Sequence, residues 1–96
     1  MLVTIHEFAE AEINEARFYY DLLSPGLGDS FIDEIEQALT QISGFPNAAP
    51  LVRGKIRKKV IPCFPYALLY SVKADQIRIL AVAHHKRRPF YWRDRR

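Results

Sequence analysis

The apolar residues of this chain keep two different rhythms, and the change between them constrains what it can fold into. From Ala9 to Ile42 they recur every three or four residues; from Ile56 to His84 they gather in short β-branched and aromatic runs. Ala9, Ile13, Ala16, Tyr20 and Leu23 fall on one helical face, with Glu7, Glu10, Asn14, Arg17 and Asp21 on the other. Phe31, Ile35, Ala38 and Ile42, flanked by Ile32 and Leu39, repeat the pattern against a wholly polar back. "SPGLG" (24–28) separates the two, with Ser24 read as a cap and Pro25 in the first helical turn. Gly44 and Pro46 stop the second helix. Two one-faced helices joined by so short a turn form an antiparallel hairpin, which must lie on something apolar.

The second rhythm supplies that surface. "KIRKKVI" (Lys55–Ile61), "YALLYSV" (Tyr66–Val72) and "QIRILAVAH" (Gln76–His84) are strand-length runs, and "LVTI" (Leu2–Ile5) is a short strand ahead of the helices. "KAD" is a tight hairpin turn. The expected fold is one α+β domain over 1–96: a small antiparallel β-sheet with the two-helix hairpin packed on one face, in the order β-α-α-β-β-β. The other face is left open to solvent or to a partner.

Charge divides at the same place as rhythm. Residues 1–50 hold nine acids and one cation, a net −8; residues 51–96 hold thirteen Lys or Arg and two acids, a net +11. A surface built from the second half therefore suits phosphates or an acidic polypeptide, unless the two layers neutralise each other within the fold. No apolar run approaches the roughly 20 residues that span a bilayer. The acidic opening "MLVTIHEFAEAE" is read as neither signal nor transit peptide. A single cysteine, Cys63 between Pro62 and Phe64, makes neither an internal disulfide nor a zinc site and is expected to pack; a reducing cytoplasm is the expected setting. No metal spacing, phosphate-binding glycine loop or Ser-His-Asp signature occurs, so neither metal nor cofactor is expected.

Strand alternation sorts the candidate site residues. In the last strand Arg78, Leu80, Val82 and His84 share one phase, and Ile77, Ile79, Ala81 and Ala83 the other. The all-apolar set suits the helices, so Arg78 and His84 are expected on the open face and His85 on the helix side. Adjacent strand residues point to opposite faces, so "HH" is not a histidine pair. Arg57 and Lys59 share a face of their own strand, and if Arg57 joins Arg78 and His84 the open face has a cationic floor. In the closing "HHKRRPFYW" (84–92), Arg87 and Arg88 lie free to reach over that face, and Phe90 and Trp92 anchor the tail.

These residues carry a resemblance. "FPYALLY" followed by "IRILAVAHHKRRPFYW", behind an acidic double helix with "SPGLGDSF" at its turn, resembles the RelE/ParE superfamily of bacterial toxins across Leu2–Trp92. The match rests on Arg57, Pro65-Tyr66, Tyr70 and the H-x-x-R of His84 and Arg87, and looks closest to the ParE-like, plasmid-stabilisation branch. It implies the toxin of a type II toxin–antitoxin module, silenced by a cognate antitoxin with an acidic, amphipathic segment. The target implied is DNA gyrase for the ParE-like branch and ribosome-bound mRNA for the RelE-like branch. For the latter, metal-free RNA cleavage would take His84 as base, Tyr91 as acid and Arg57, Arg78 and Arg87 as the phosphate clamp. In either case Arg57, Lys59, Arg78, His84, Arg87 and Arg88 form the expected target- or antitoxin-binding surface. A different reading stays open: a non-toxic basic module that stacks nucleic-acid bases on Tyr66, Tyr70, Phe90, Tyr91 and Trp92.

Overall fold

The computed structural model describes all residues, 1–96. The elements run β1 (Leu2–Ile5), α1 (Glu7–Leu23), α2 (Leu27–Gly44), β2 (Leu51–Arg53), β3 (Ile56–Val60), β4 (Tyr66–Lys73) and β5 (Gln76–His84). They form one five-stranded sheet, ordered β1-β5-β4-β3-β2, with the hairpin α1–α2 across one face. The α+β architecture is the expected one. Two features are added to it. A short strand, β2, precedes the expected three and turns back through Gly54, whose φ of 54° is left-handed. And β1 joins the sheet parallel to β5, so the sheet is mixed, because the helices carry the chain back before it re-enters beside its own start.

The helices form where the apolar stripes predict. His6 starts α1, its Nδ1 accepting from Phe8 N–H at 3.0 Å, and Glu7 and Glu10 set negative charge at the positive end of the helix dipole. Ser24 closes α1 rather than capping α2; its N–H donates to the Tyr20 carbonyl, and α2 begins from Gly26 at φ 87°. Gly28 is where the two helices touch: a Cβ there would lie 2.6 Å from the Arg17 carbonyl and 2.7 Å from the Asp21 carboxylate. Asp21 uses that approach to accept from Gly28 N–H at 2.8 Å. Leu23, expected in the core stripe, is the last residue of α1 and is exposed.

Phe31, Ile35, Ala38 and Ile42 of α2 and Ala9, Ala16 and Tyr20 of α1 are buried against Leu68, Tyr70, Ile77, Ile79 and Val82 of the sheet. At about 25 cal/mol per Å² of apolar area removed from water, each large side chain here contributes roughly 1.5–3 kcal/mol. A second, smaller cluster lies on the opposite face: Leu69, Ala81 and Trp92. That face is therefore not fully open. The segment after β5 folds back over it and buries Trp92, as an anchored tail requires.

One irregularity governs the site. Leu69 pairs with Ala81 but Tyr70 pairs with Ile79, which leaves Leu80 as an extra residue in β5. This β-bulge reverses the side-chain phase of the strand. Before it, Ile77 and Ile79 face the helices; after it, Val82 does, while Ala81 and Ala83 join the cluster on the other face.

Candidate functional site

The bulge reassigns the residues that strand alternation grouped together. His84 follows Val82 to the helix side, where its ring meets Tyr66 edge-on at 5.1 Å and its Nδ1 accepts from Lys86 N–H at 3.0 Å. His85, just past the strand, lines a slot on the opposite face, whose end His84 and Arg87 also border. The expected placement of the two histidines is thus inverted. Arg78 keeps the open face, so it and His84 lie on opposite sides, about six residues and roughly 20 Å apart along the strand. Arg78 donates to the carbonyl of Arg96 at 3.3 Å.

Arg57 does not join either of them. It pairs with Tyr70 across β3–β4, which puts it on the helix side, and there it donates to the carbonyls of Asn47 (3.0 Å) and Ala49 (2.7 Å). Tyr70, wholly buried, donates its phenol to the Pro46 carbonyl at 2.8 Å. Together they pin the loop from α2 to β2. Lys59 shares Arg57's face and borders a groove with Phe45, Ala49 and Val60. The cationic floor expected from Arg57, Lys59, Arg78 and His84 does not exist as one surface. Lys58, on the other phase of β3, is the lysine that reaches the open face.

Tyr91 is held by a residue that sequence reading passed over. Glu12, on α1, accepts from the Tyr91 hydroxyl, from Arg95 at 2.9 Å and 3.2 Å, and from the backbone N–H of Val82 at 3.0 Å. Arg95 also donates to the Leu80 carbonyl at 3.1 Å. Strand β1 pairs with β5 only as far as Ile79, so Val82 N–H and Leu80 C=O lie on an edge without a neighbouring strand. Glu12 and Arg95 satisfy that edge and tie the C-terminal segment to α1 in one cluster. The Tyr91 phenol is pushed well above its ordinary value by burial and by its hydrogen bond to Glu12. It is a locked donor, and the Arg87 guanidinium lies 3.9 Å from its ring centroid. No sequence signal marks Glu12, which sits among other acids on a polar helix face; its role depends on where the bulge places the strand edge.

Two hollows flank this segment. One, about 200 Å³, lies on the helix side among Glu12, Glu15, Tyr19, Tyr66, His84 and Arg87. The other, about 240 Å³, lies on the opposite face. Its floor is apolar, from Ala67, Leu69, Ala83 and Trp92, and Lys58 and Arg88 stand at its margin. Arg53 covers Phe90 from the side, 5.1 Å from the ring centroid. Cys63, expected to pack, is exposed in the turn before β4 with φ 71°, while the neighbouring Phe64 packs against Tyr20 and Phe31.

The charged halves are scarcely neutralised against each other. Of the two ion pairs, Arg17–Asp29 lies within the hairpin, and only Arg95–Glu12 joins the halves. The remaining cations of residues 51–96 have no acidic partner within the fold. No helix is long and apolar enough to cross a membrane.

Comparison with known proteins bears on this arrangement. A family model described as the ParE toxin of the type II toxin–antitoxin system parDE matches residues 3–89. Among solved structures, one titled as the chromosomal ParDE toxin–antitoxin system from P. aeruginosa is similar in fold, with a TM-score of 0.77 at 18% identity. The similarity covers 88% of this chain and 95% of that one. No curated protein matches the sequence.

Proposed function

The chain belongs to the ParE toxin family of type II toxin–antitoxin systems, and on that premise we propose that it arrests growth when free by poisoning DNA gyrase. In this reading it acts in the cytoplasm and is silenced by a cognate antitoxin. The observation that carries it is the family match over nearly the whole chain, together with a surface whose positive charge the fold leaves unpaired.

The antitoxin segment is acidic and amphipathic and folds on docking. Exposed Phe45 and Val60, with Lys59 beside them in one groove, offer such a segment both apolar contact and a charge partner. Arg87 and Arg88, exposed beyond β5, extend the cationic surface toward the target.

Ribosome-dependent mRNA cleavage is the weaker alternative. It needs base, acid and phosphate clamp around one phosphorane. Here Arg57 is spent on two loop carbonyls, Arg78 and His84 lie on opposite faces, and the Tyr91 proton is committed to Glu12.

The test is induction of this chain alone in bacteria, with soluble expression verified. Growth arrest that co-expression of the protein encoded beside it relieves is the expected result. Normal growth would overturn the reading.

A further inference from the structure

We infer that the hollow on the helix side, between α1 and the end of β5, is a binding site for a free α-amino acid with a small aliphatic side chain. The inference does not rest on which cellular target the toxin poisons.

Opposite charges share this hollow without closing on one another. Glu12 and Glu15 line it from α1, and His84 and Arg87 from the end of β5 and the segment after it. Glu12 is taken up by Arg95 and Tyr91. Glu15 and Arg87 enter no ion pair, with each other or with any group of the fold. Arg87 is kept from Glu15 by Tyr91, its guanidinium 3.9 Å from the ring centroid. His84 is fixed as well: its Nδ1 accepts from Lys86 N–H at 3.0 Å, and its ring stands edge-on to Tyr66 at 5.1 Å. The neutral imidazole then carries its proton on Nε2, a donor that the fold leaves unused. Tyr19 and Tyr66 add two aromatic rings to the lining. Burial, the neighbouring phenols and the carboxylates of Glu12 and Glu15 push the Tyr66 phenol up, so it meets a ligand as a neutral donor. The aliphatic part of the lining is Ala16 and Val82, both buried.

A ligand must meet three demands in one small body: a cation for Glu15, an anion for Arg87 and His84, and an apolar side for Ala16 and Val82. The volume of about 200 Å³ falls below that of the usual drug-sized pocket and excludes a helix or a strand. A simple anion would satisfy Arg87 and sit beside an unpaired carboxylate; a simple amine would do the reverse. An α-amino acid carries ammonium, carboxylate and side chain on one carbon. Its ammonium meets Glu15 and the faces of Tyr19 and Tyr66. Its carboxylate accepts from the Arg87 guanidinium and the His84 imidazole. The aliphatic side chain lies on Ala16 and Val82.

The experiment is an NMR titration of the full-length protein, labelled at its histidine rings, at neutral pH. The ligands are L-valine, isovalerate (valine without its ammonium), isobutylamine (valine without its carboxylate) and the blocked dipeptide acetyl-Lys-Glu-amide. The chain holds three histidines, and His6, at the start of α1, is the internal reference. The expected result is a saturable shift of the His84 resonances by L-valine with His6 unmoved. Each other ligand should bind about tenfold more weakly or worse, having lost a charge-assisted contact. Glu15→Gln should weaken L-valine severalfold while leaving isovalerate unchanged, and Arg87→Gln should weaken L-valine while leaving isobutylamine unchanged. Both side chains are exposed, so neither change threatens the fold. Isovalerate or isobutylamine binding as tightly as L-valine would reduce the hollow to a site for a single charge and overturn the inference. Tighter binding of the dipeptide would make it a polypeptide site and overturn it equally, as would a His84 that no ligand moves.

Discussion

Replacing Glu12 with glutamine removes the charge that Arg95 pairs with while keeping the side chain's size. Arg95 would then stand unpaired at a site where both partners are largely shielded from water. Breaking such a pair from one side costs about 2–4 kcal/mol, less than for full burial. The expected outcome is a lowered urea midpoint and faster amide exchange in residues 91–96, with the hairpin and β4 unaffected. A second expectation concerns alkaline pH. Burial raises the phenols of Tyr20, Tyr66 and Tyr70, and burial with the Glu12 hydrogen bond raises Tyr91 further. Because the folded values lie above the unfolded value of 10.0, the unfolded chain ionises first as pH rises. The stabilisation is therefore fully present below about pH 10 and is lost as pH climbs from there through the folded values. Denaturation midpoints measured at about pH 8 and about pH 11 should differ, and Tyr91→Phe should narrow the difference. A flat profile would mean these phenols are not buried as described. Trp92→Ala, opening a cavity under the slot, should cost about 3–5 kcal/mol by the same measurement.

Both helices and the strands β1, β3, β4 and β5 were legible as elements, because the length and spacing of each apolar run mark it as helix or strand. α2 is the clearest case, with all four stripe residues buried. β2 was not legible: three residues, Leu51–Arg53, running straight into the Gly54 turn carry no alternation to detect. The faces of β5 were misread for a different reason. Ile77, Arg78 and Ile79 set a clear phase, but Ile79-Leu80-Ala81-Val82 is apolar in both phases, so a one-residue slip inside it leaves no trace. Leu80 is that slip, and it moves His84 and His85 to exchanged faces. Deleting Leu80 should remove the bulge while keeping Tyr70 opposite Ile79 and Leu69 opposite Ala81, so Ile79 and Val82 still face the core. The expected outcome is a folded domain that loses one buried leucine, at about 2–5 kcal/mol. Inserting one alanine after Ala81 instead turns Val82 away from the core and should cost more. Equal urea midpoints for the deletion and the insertion would contradict the phase described for β5.

For the molecule as a whole, the division of charge was visible in the sequence, but its consequence was not. Only the structure tells mutual neutralisation from a free surface, and a single ion pair joins the halves. An acidic antitoxin segment should therefore associate more slowly as salt is raised, with dissociation changing less, because steering acts on the encounter and apolar burial on the bound state. Rates measured by rapid mixing across about 50–500 mM salt would check it. The family explains growth arrest only through a target, so the most direct test lies there. Purified protein should be mixed with DNA gyrase, ATP and plasmid, and separately with translating ribosomes. Inhibited supercoiling and accumulated gyrase–DNA breaks, relieved by antitoxin, are the expected result, with mRNA intact. Cleaved ribosome-bound mRNA with gyrase activity unimpaired would contradict it.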